Sequence, residues 1–91
     1  MNEIITLISD DTRREVFCRL RSVGHTEFYE AYATDYRPEL KFTLADYLDY
    51  EGESLVKHDG TLYRVIRTYR TGHEIELTVG RASAEEVAIY G

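Results

Sequence analysis

The sequence predicts a small, mainly β protein: an antiparallel β-barrel of about six strands with one short inserted helix. Three observations carry this expectation. Apolar residues alternate with polar ones at period two over several short runs. Turn-forming pairs separate those runs at short intervals. Helical spacing is confined to one internal segment and the extreme C-terminal end. Short all-β chains of this kind close on themselves to hide their strand edges.

The elements follow in order. Ile4-Ile5-Thr6-Leu7-Ile8 is a short β-branched run ended by Ser9-Asp10-Asp11, and it reads as a buried strand. Val16, Cys18 and Leu20 alternate with Phe17, Arg19 and Arg21, which puts the first three inward and leaves Phe17 as an outward aromatic. Leu40, Phe42 and Leu44 alternate with Lys41, Thr43 and Ala45, and Ile75, Leu77 and Val79 alternate with Glu74, Glu76 and Thr78. Asp59-Gly60 stands between two strand-like runs, the signature of a type I′ hairpin, in which both central residues take positive φ. Arg70-Thr71-Gly72-His73 is the next turn, so residues 54–80 form a three-stranded meander. Within it, strict alternation places Tyr63, Val65, Arg67 and Tyr69 on one face and Arg64, Ile66 and Arg70 on the other.

The inserted helix falls between the second and third strands. Thr26 serves as its N-cap, Glu27 sits in the first turn, and Phe28, Ala31 and Tyr32 share a face. Pro38 stops it and pushes Arg37 to extended geometry, so it has two to three turns at most. Ser83-Ala84-Glu85-Glu86 forms a second, weaker helical signal, a capping-box pattern ahead of Val87 and Ile89. Residues 81–91 thus read as a C-terminal tail on a single domain spanning residues 1–91, flexible or ordered on a neighbour.

Composition narrows the function classes. The 91 residues leave room for one core, and no apolar run approaches the roughly 20 residues of a membrane-spanning helix. The N-terminal residues lack a signal-peptide pattern, and the single cysteine cannot form an internal disulfide, which fits a reducing cytosol. With 17 acidic against 11 basic residues the net charge is −6, which disfavours sequence-specific nucleic-acid binding but not a surface past which DNA slides. Eight tyrosines and no tryptophan favour strands and protein contacts.

Chemical constellations are weak. His25, His58 and His73 are far apart and fall in turns or loop starts, where solvated side chains are expected and no metal site is. Cys18 faces inward as a small hydrophobe and not as a nucleophile. Asp10-Asp11 reads as a turn. The alternation of Tyr63 and Tyr69 with Arg64, Arg67 and Arg70 resembles a stacking platform for single-stranded nucleic acid. Aliphatic residues on both faces of that strand favour structural use, with the arginines paired to Glu74 and Glu76 of the next strand. No catalytic residue and no cofactor are expected, and the chain is not read as an enzyme.

One stretch resembles a known family. Asp59-Gly60, Tyr63-Arg64-Val65-Ile66-Arg67-Thr68-Tyr69, the turn Arg70-Thr71-Gly72-His73 and Glu74-Ile75-Glu76-Leu77 are similar to the C-terminal signature of head-closure (head–tail joining) proteins of long-tailed phages and prophages. Glu15-Val16-Phe17-Cys18-Arg19-Leu20-Arg21-Ser22-Val23 followed by Thr26-Glu27-Phe28-Tyr29 matches next, and Arg37-Pro38-Glu39-Leu40 through Asp46-Tyr47 completes the order. The resemblance covers residues 3–80. It implies a β-barrel stopper in a homo-oligomeric ring, usually a dodecamer, of the virion head–tail connector, assembled in the host cytoplasm. Portal and adaptor ring proteins lie above such a ring and tail-terminator or tail proteins below. Double-stranded DNA passes through it without sequence readout, and no membrane is involved.

In such proteins the loop between the second and third strands gates or lines the channel. Here His25, Thr26, Glu27, Phe28, Tyr29, Tyr32, Tyr36 and Arg37 occupy that position, with a short helix in place of a long flexible loop, and are the expected channel or neighbour contacts. Phe17, Arg64 and Arg67 are the expected interface residues. The competing readings are a tail-completion or tail-terminator ring protein and a host β-barrel interaction module.

Overall fold

The structure, a computed structural model, describes residues 2–22 and 38–91. The helix expected after Thr26, and the candidate contacts His25, Thr26, Glu27, Phe28, Tyr29, Tyr32, Tyr36 and Arg37, lie outside the described residues. Six antiparallel strands close into a barrel: β1 (Asn2–Ile8), β2 (Arg13–Ser22), β3 (Pro38–Leu44), β4 (Leu55–His58), β5 (Thr61–Thr71) and β6 (Glu74–Arg81). Around the barrel the order is β1-β2-β3-β6-β5-β4.

The arrangement is two three-stranded meanders, β1-β2-β3 and β4-β5-β6, sealed by two long-range pairings. One pairs β3 with β6, with Phe42 opposite Leu77. The other pairs β1 with β4, with Leu7 opposite Val56. Because β3 and β4 are not neighbours, residues 45–54 must cross one end of the barrel to connect them. A 3-10 turn, Tyr47–Asp49, opens that crossing and is N-capped by the Asp46 side chain, which accepts from the Leu48 amide. The Tyr47 amide donates to the His73 carbonyl at the tip of the β5–β6 hairpin, so the crossing is clipped to the barrel rim.

Side chains fill the interior. Ile5, Leu7, Cys18, Phe42, Leu44, Val56, Tyr63, Ile75, Leu77 and Val79 form one core, with Val16, Leu40, Tyr47, Tyr50 and Val65 packed against it. The Asp59-Gly60 turn has the expected conformation, with φ of +49° and +80° at its two residues.

Two expectations of burial and one of facing are corrected. Leu20 shares the inward parity of Cys18 but is 37% exposed, because it sits near the end of β2 where the wall runs out of partners. Thr43 and Thr78, on the outward parity, are buried. In β5 the alternation breaks at Ile66: Val65 pairs with Val79, yet Arg67 pairs with Thr78. That bulge inserts one residue and reverses the facing beyond it. Tyr63 and Val65 therefore face the core, while Arg67 and Tyr69 join the outer wall opposite Thr78 and Glu76.

Residues 81–91 close the chain against its own barrel. After β6, a single α-helix among the described residues, α1 (Ala84–Tyr90), carries a complete capping box: the Ser83 side chain accepts from the Glu86 amide and the Glu86 carboxylate accepts from the Ser83 amide. It covers a second apolar cluster on the outer face of β1, β4 and β5, made of Ile8, Leu55 and Leu62 with Ala82 and Tyr90.

Candidate functional site

With the interior filled, any partner must meet the outer wall or an end of the barrel. The wall over β1 and β2 carries the most exposed apolar pair of the sheet. Ile4 and Phe17 are cross-strand partners, 54% and 67% exposed. Phe17 is thus where the sequence placed it, pointing outward. Ile4 was read as part of a buried run, because alternation hardly shows where Ile4, Ile5, Leu7 and Ile8 leave apolar residues on both faces. Glu15 and Arg19 flank Phe17 on the same face.

A second stretch of wall spans four strands. The register aligns Arg19, Thr43, Glu76 and Tyr69 in one row, and Arg21, Lys41, Thr78 and Arg67 in the next. A shallow groove runs here, lined by Arg19, Leu20, Thr43, Tyr69, Glu74 and Glu76 among others. Lys41 of one row pairs with Glu76 of the other at 3.3 Å, and Arg19 pairs with Glu74 at the start of β6. The carboxylates of β6 thus meet cations from β2 and β3, across the rows, rather than Arg64 on β5. Arg64 instead donates to Glu86 of α1. Burial works against the Glu86 charge, but that bond and the Ser83 contacts hold its carboxyl below the usual range. Arg64 thus pins the C-terminal helix to β5. Arg67 stands on the outer wall, as the β5 bulge requires.

The end of the barrel crossed by residues 45–54 holds the one buried carboxylate among the described residues. Glu53 is 3% exposed and ion-paired to Arg14 at 2.5 Å. Arg14 donates further to the Asp49 carbonyl, the Glu51 amide donates to Glu53 at 2.7 Å, and the Tyr50 hydroxyl donates to the Glu53 carbonyl. Burial pushes the Glu53 pKa up, yet the Arg14 bond and the backbone donors outweigh it and the net shift is downward. The Arg14 pKa is raised by the same bond. Beside this network the Arg70 guanidinium lies 3.4 Å from the Tyr47 ring centroid. Neither Glu53 nor Arg14 stood out in the sequence, since the charge sits between two turn residues and its partner is 39 positions away. The rim around them is acidic, with Asp10, Asp11, Asp46, Asp49 and Glu51 all exposed.

At the opposite end, His58 departs from the solvated histidine expected of a turn. Its ring packs 5.4 Å from that of Phe42, and its Nε2 lies 3.2 Å from Glu3. His73 is exposed in the β5–β6 turn, and His25 lies outside the described residues. Cys18, buried opposite Glu3, has its thiol pushed up to about 11, first by burial and then by the Glu3 charge. That is the environment of a packing residue, as the alternation predicted. Asp10 and Asp11 form the exposed β1–β2 turn, and Asp10 accepts from the Tyr90 hydroxyl.

Comparison with models of known protein families gives no match, and comparison with curated proteins gives no similar sequence.

Proposed function

We propose that the chain is a structural subunit of a phage head–tail connector and not an enzyme. In this reading it forms a homo-oligomeric ring that closes the DNA-filled head below the portal and adaptor proteins and receives the tail. One observation carries the reading. Residues 59–77, where the resemblance to head-closure proteins is concentrated, form a continuous unit of the barrel: the Asp59-Gly60 turn, β5 and the first half of β6. The resemblance is thus a resemblance of a hairpin that seals a solid barrel, not of scattered positions.

The charge layout agrees with a channel that DNA traverses. An end ringed by Asp10, Asp11, Asp46, Asp49 and Glu51 repels phosphates, so DNA passing it is not gripped. The exposed Ile4–Phe17 wall suits contact with another protein. In a connector the chain resides in the virion after assembly in the host cytoplasm.

The test is genetic and biochemical. Inactivating the gene in the phage or prophage that carries it yields DNA-packed heads that leak and bear no tails. Purified chain binds portal-bearing capsids and not isolated tail tubes. Infectious particles from the inactivated phage would overturn the reading, and binding to tail tubes alone would assign the chain to tail completion instead.

A further inference from the structure

We infer that the β1–β2 wall is a self-complementary surface on which a second copy of this chain docks about a two-fold axis that passes between the two Phe17 side chains. The argument starts from what faces outward along β2. Alternation puts Arg13, Glu15, Phe17, Arg19 and Arg21 on one face of a single strand, with Ile4 beside Phe17 on β1. Phe17 and Ile4 are the apolar centre. Glu15 and Arg19 stand two residues to either side of Phe17, about 6.6 Å along the strand in each direction at 3.3 Å per residue.

A two-fold axis lying between the two walls, parallel to them and perpendicular to β2 at Phe17, sets the walls face to face with the two β2 strands antiparallel. Residue 17 of one copy then meets residue 17 of the other, and residue 15 meets residue 19. Each Glu15 faces the second copy's Arg19, twice over. Glu15 is exposed and makes no ion pair with the described residues of its own chain. Arg19, 56% exposed, pairs with Glu74 but keeps guanidinium N–H groups for a second carboxylate. One strand therefore presents an aromatic anchor between opposite charges at equal spacing, the pattern an isologous contact requires.

The next pair outward sets the limits of the contact. Arg13 would face Arg21 of the second copy, a like-charged pair. Sheets that pack face to face cross at about −30°, which carries residues four positions from the axis apart while leaving those two positions away within arginine's reach. The Arg13 guanidinium is also turned toward the Tyr90 carbonyl of its own chain. The contact is thus a small patch centred on two apolar side chains, below the roughly 800 Å² per partner of a standard interface. Such a pair is transient, with a dissociation constant on the order of 10–100 µM. It stands independently of the connector reading; in a connector subunit it would shelter Phe17 from water before a ring forms.

Sedimentation velocity of the full chain from 5 to 500 µM at physiological salt tests the inference. The wild type is expected to shift from monomer to dimer across that range. Phe17→Asp, Glu15→Arg and Arg19→Glu are each expected to weaken dimerisation at least tenfold. Mixing Glu15→Arg with Arg19→Glu is expected to restore it, because each then offers the charge the other needs at both contacts. If reversing Arg19 beside Glu74 unsettles the fold, Phe17→Asp and Glu15→Arg, which leave that ion pair in place, carry the test by themselves. A wild type monomeric at 500 µM, a Phe17→Asp variant that still dimerises, or a mixture no tighter than its components would overturn the two-fold contact. Infectious, tailed particles from a phage lacking the chain, with dimerisation of the purified wild type intact, would count against the connector reading alone.

Discussion

Replacing Glu53 by Gln probes what holds the barrel's crossed end together. Gln keeps the volume and an acceptor for the Glu51 amide, but removes the charge that faces Arg14. Breaking a buried ion pair by deleting one charge costs about 3–5 kcal/mol. Arg14, however, is 34% exposed, so the freed guanidinium regains water and the cost falls to about 2 kcal/mol. For a domain of this size that corresponds to a fall in Tm of about 8–16 °C. The pH dependence is specific to this group. Its folded pKa lies below the ordinary value of 4.5, so its stabilisation is complete above that value and fades as pH falls toward the folded pKa. Thermal melts by circular dichroism from pH 7 to pH 3 should show the wild-type and Glu53→Gln curves far apart at neutrality and converging below about pH 4.5. A Tm difference under about 2 °C at pH 7, or a gap that does not narrow in acid, would refute the claim that this pair secures the crossing.

Other measurements test the remaining joints of the fold. Ser83→Ala removes the capping box of α1 and should cost about 1 kcal/mol, seen as faster amide exchange over residues 84–90 with little change in the core strands. Gly60→Ala forces a side chain into a φ of +80° in the β4–β5 turn and should lower stability by about 1 kcal/mol in urea titration, though the site itself is open. Cys18, with its thiol pushed up to about 11, should resist a thiol reagent at pH 8 in the folded protein and react at a rate that tracks unfolding in urea.

The local rules of the fold were legible because they involve neighbours in the chain. Period two over 40–44 and 74–79 marked strands whose inward residues are the core, and Asp59-Gly60 marked a turn that only positive φ can make. Ser83 and Glu86 spelled out a capping box that forms in full. Phe17 was marked as an outward aromatic by its alternation alone, and it stands exposed on the β1–β2 wall.

Tertiary structure decided the rest, and each case has a physical reason. Which strands seal the barrel depends on pairings across long loops, β1 with β4 and β3 with β6, which no local pattern encodes. The bulge at Ile66 reverses the facing of Arg67 and Tyr69, because a barrel must bend its long strands to close. Leu20 is exposed and His58 half-buried because the barrel rim, not the alternation, sets where a strand's cover ends. Glu53 is buried because residues 45–54 must cross the barrel mouth, and its charge is tolerated only because the fold delivers Arg14 from β2 to meet it. The sequence alone thus determined the strands, their turns and the outward aromatic. Closure decided which charges meet, since ion pairs between residues 14 and 53, 19 and 74, or 64 and 86 exist only once distant strands and the C-terminal helix have been brought together.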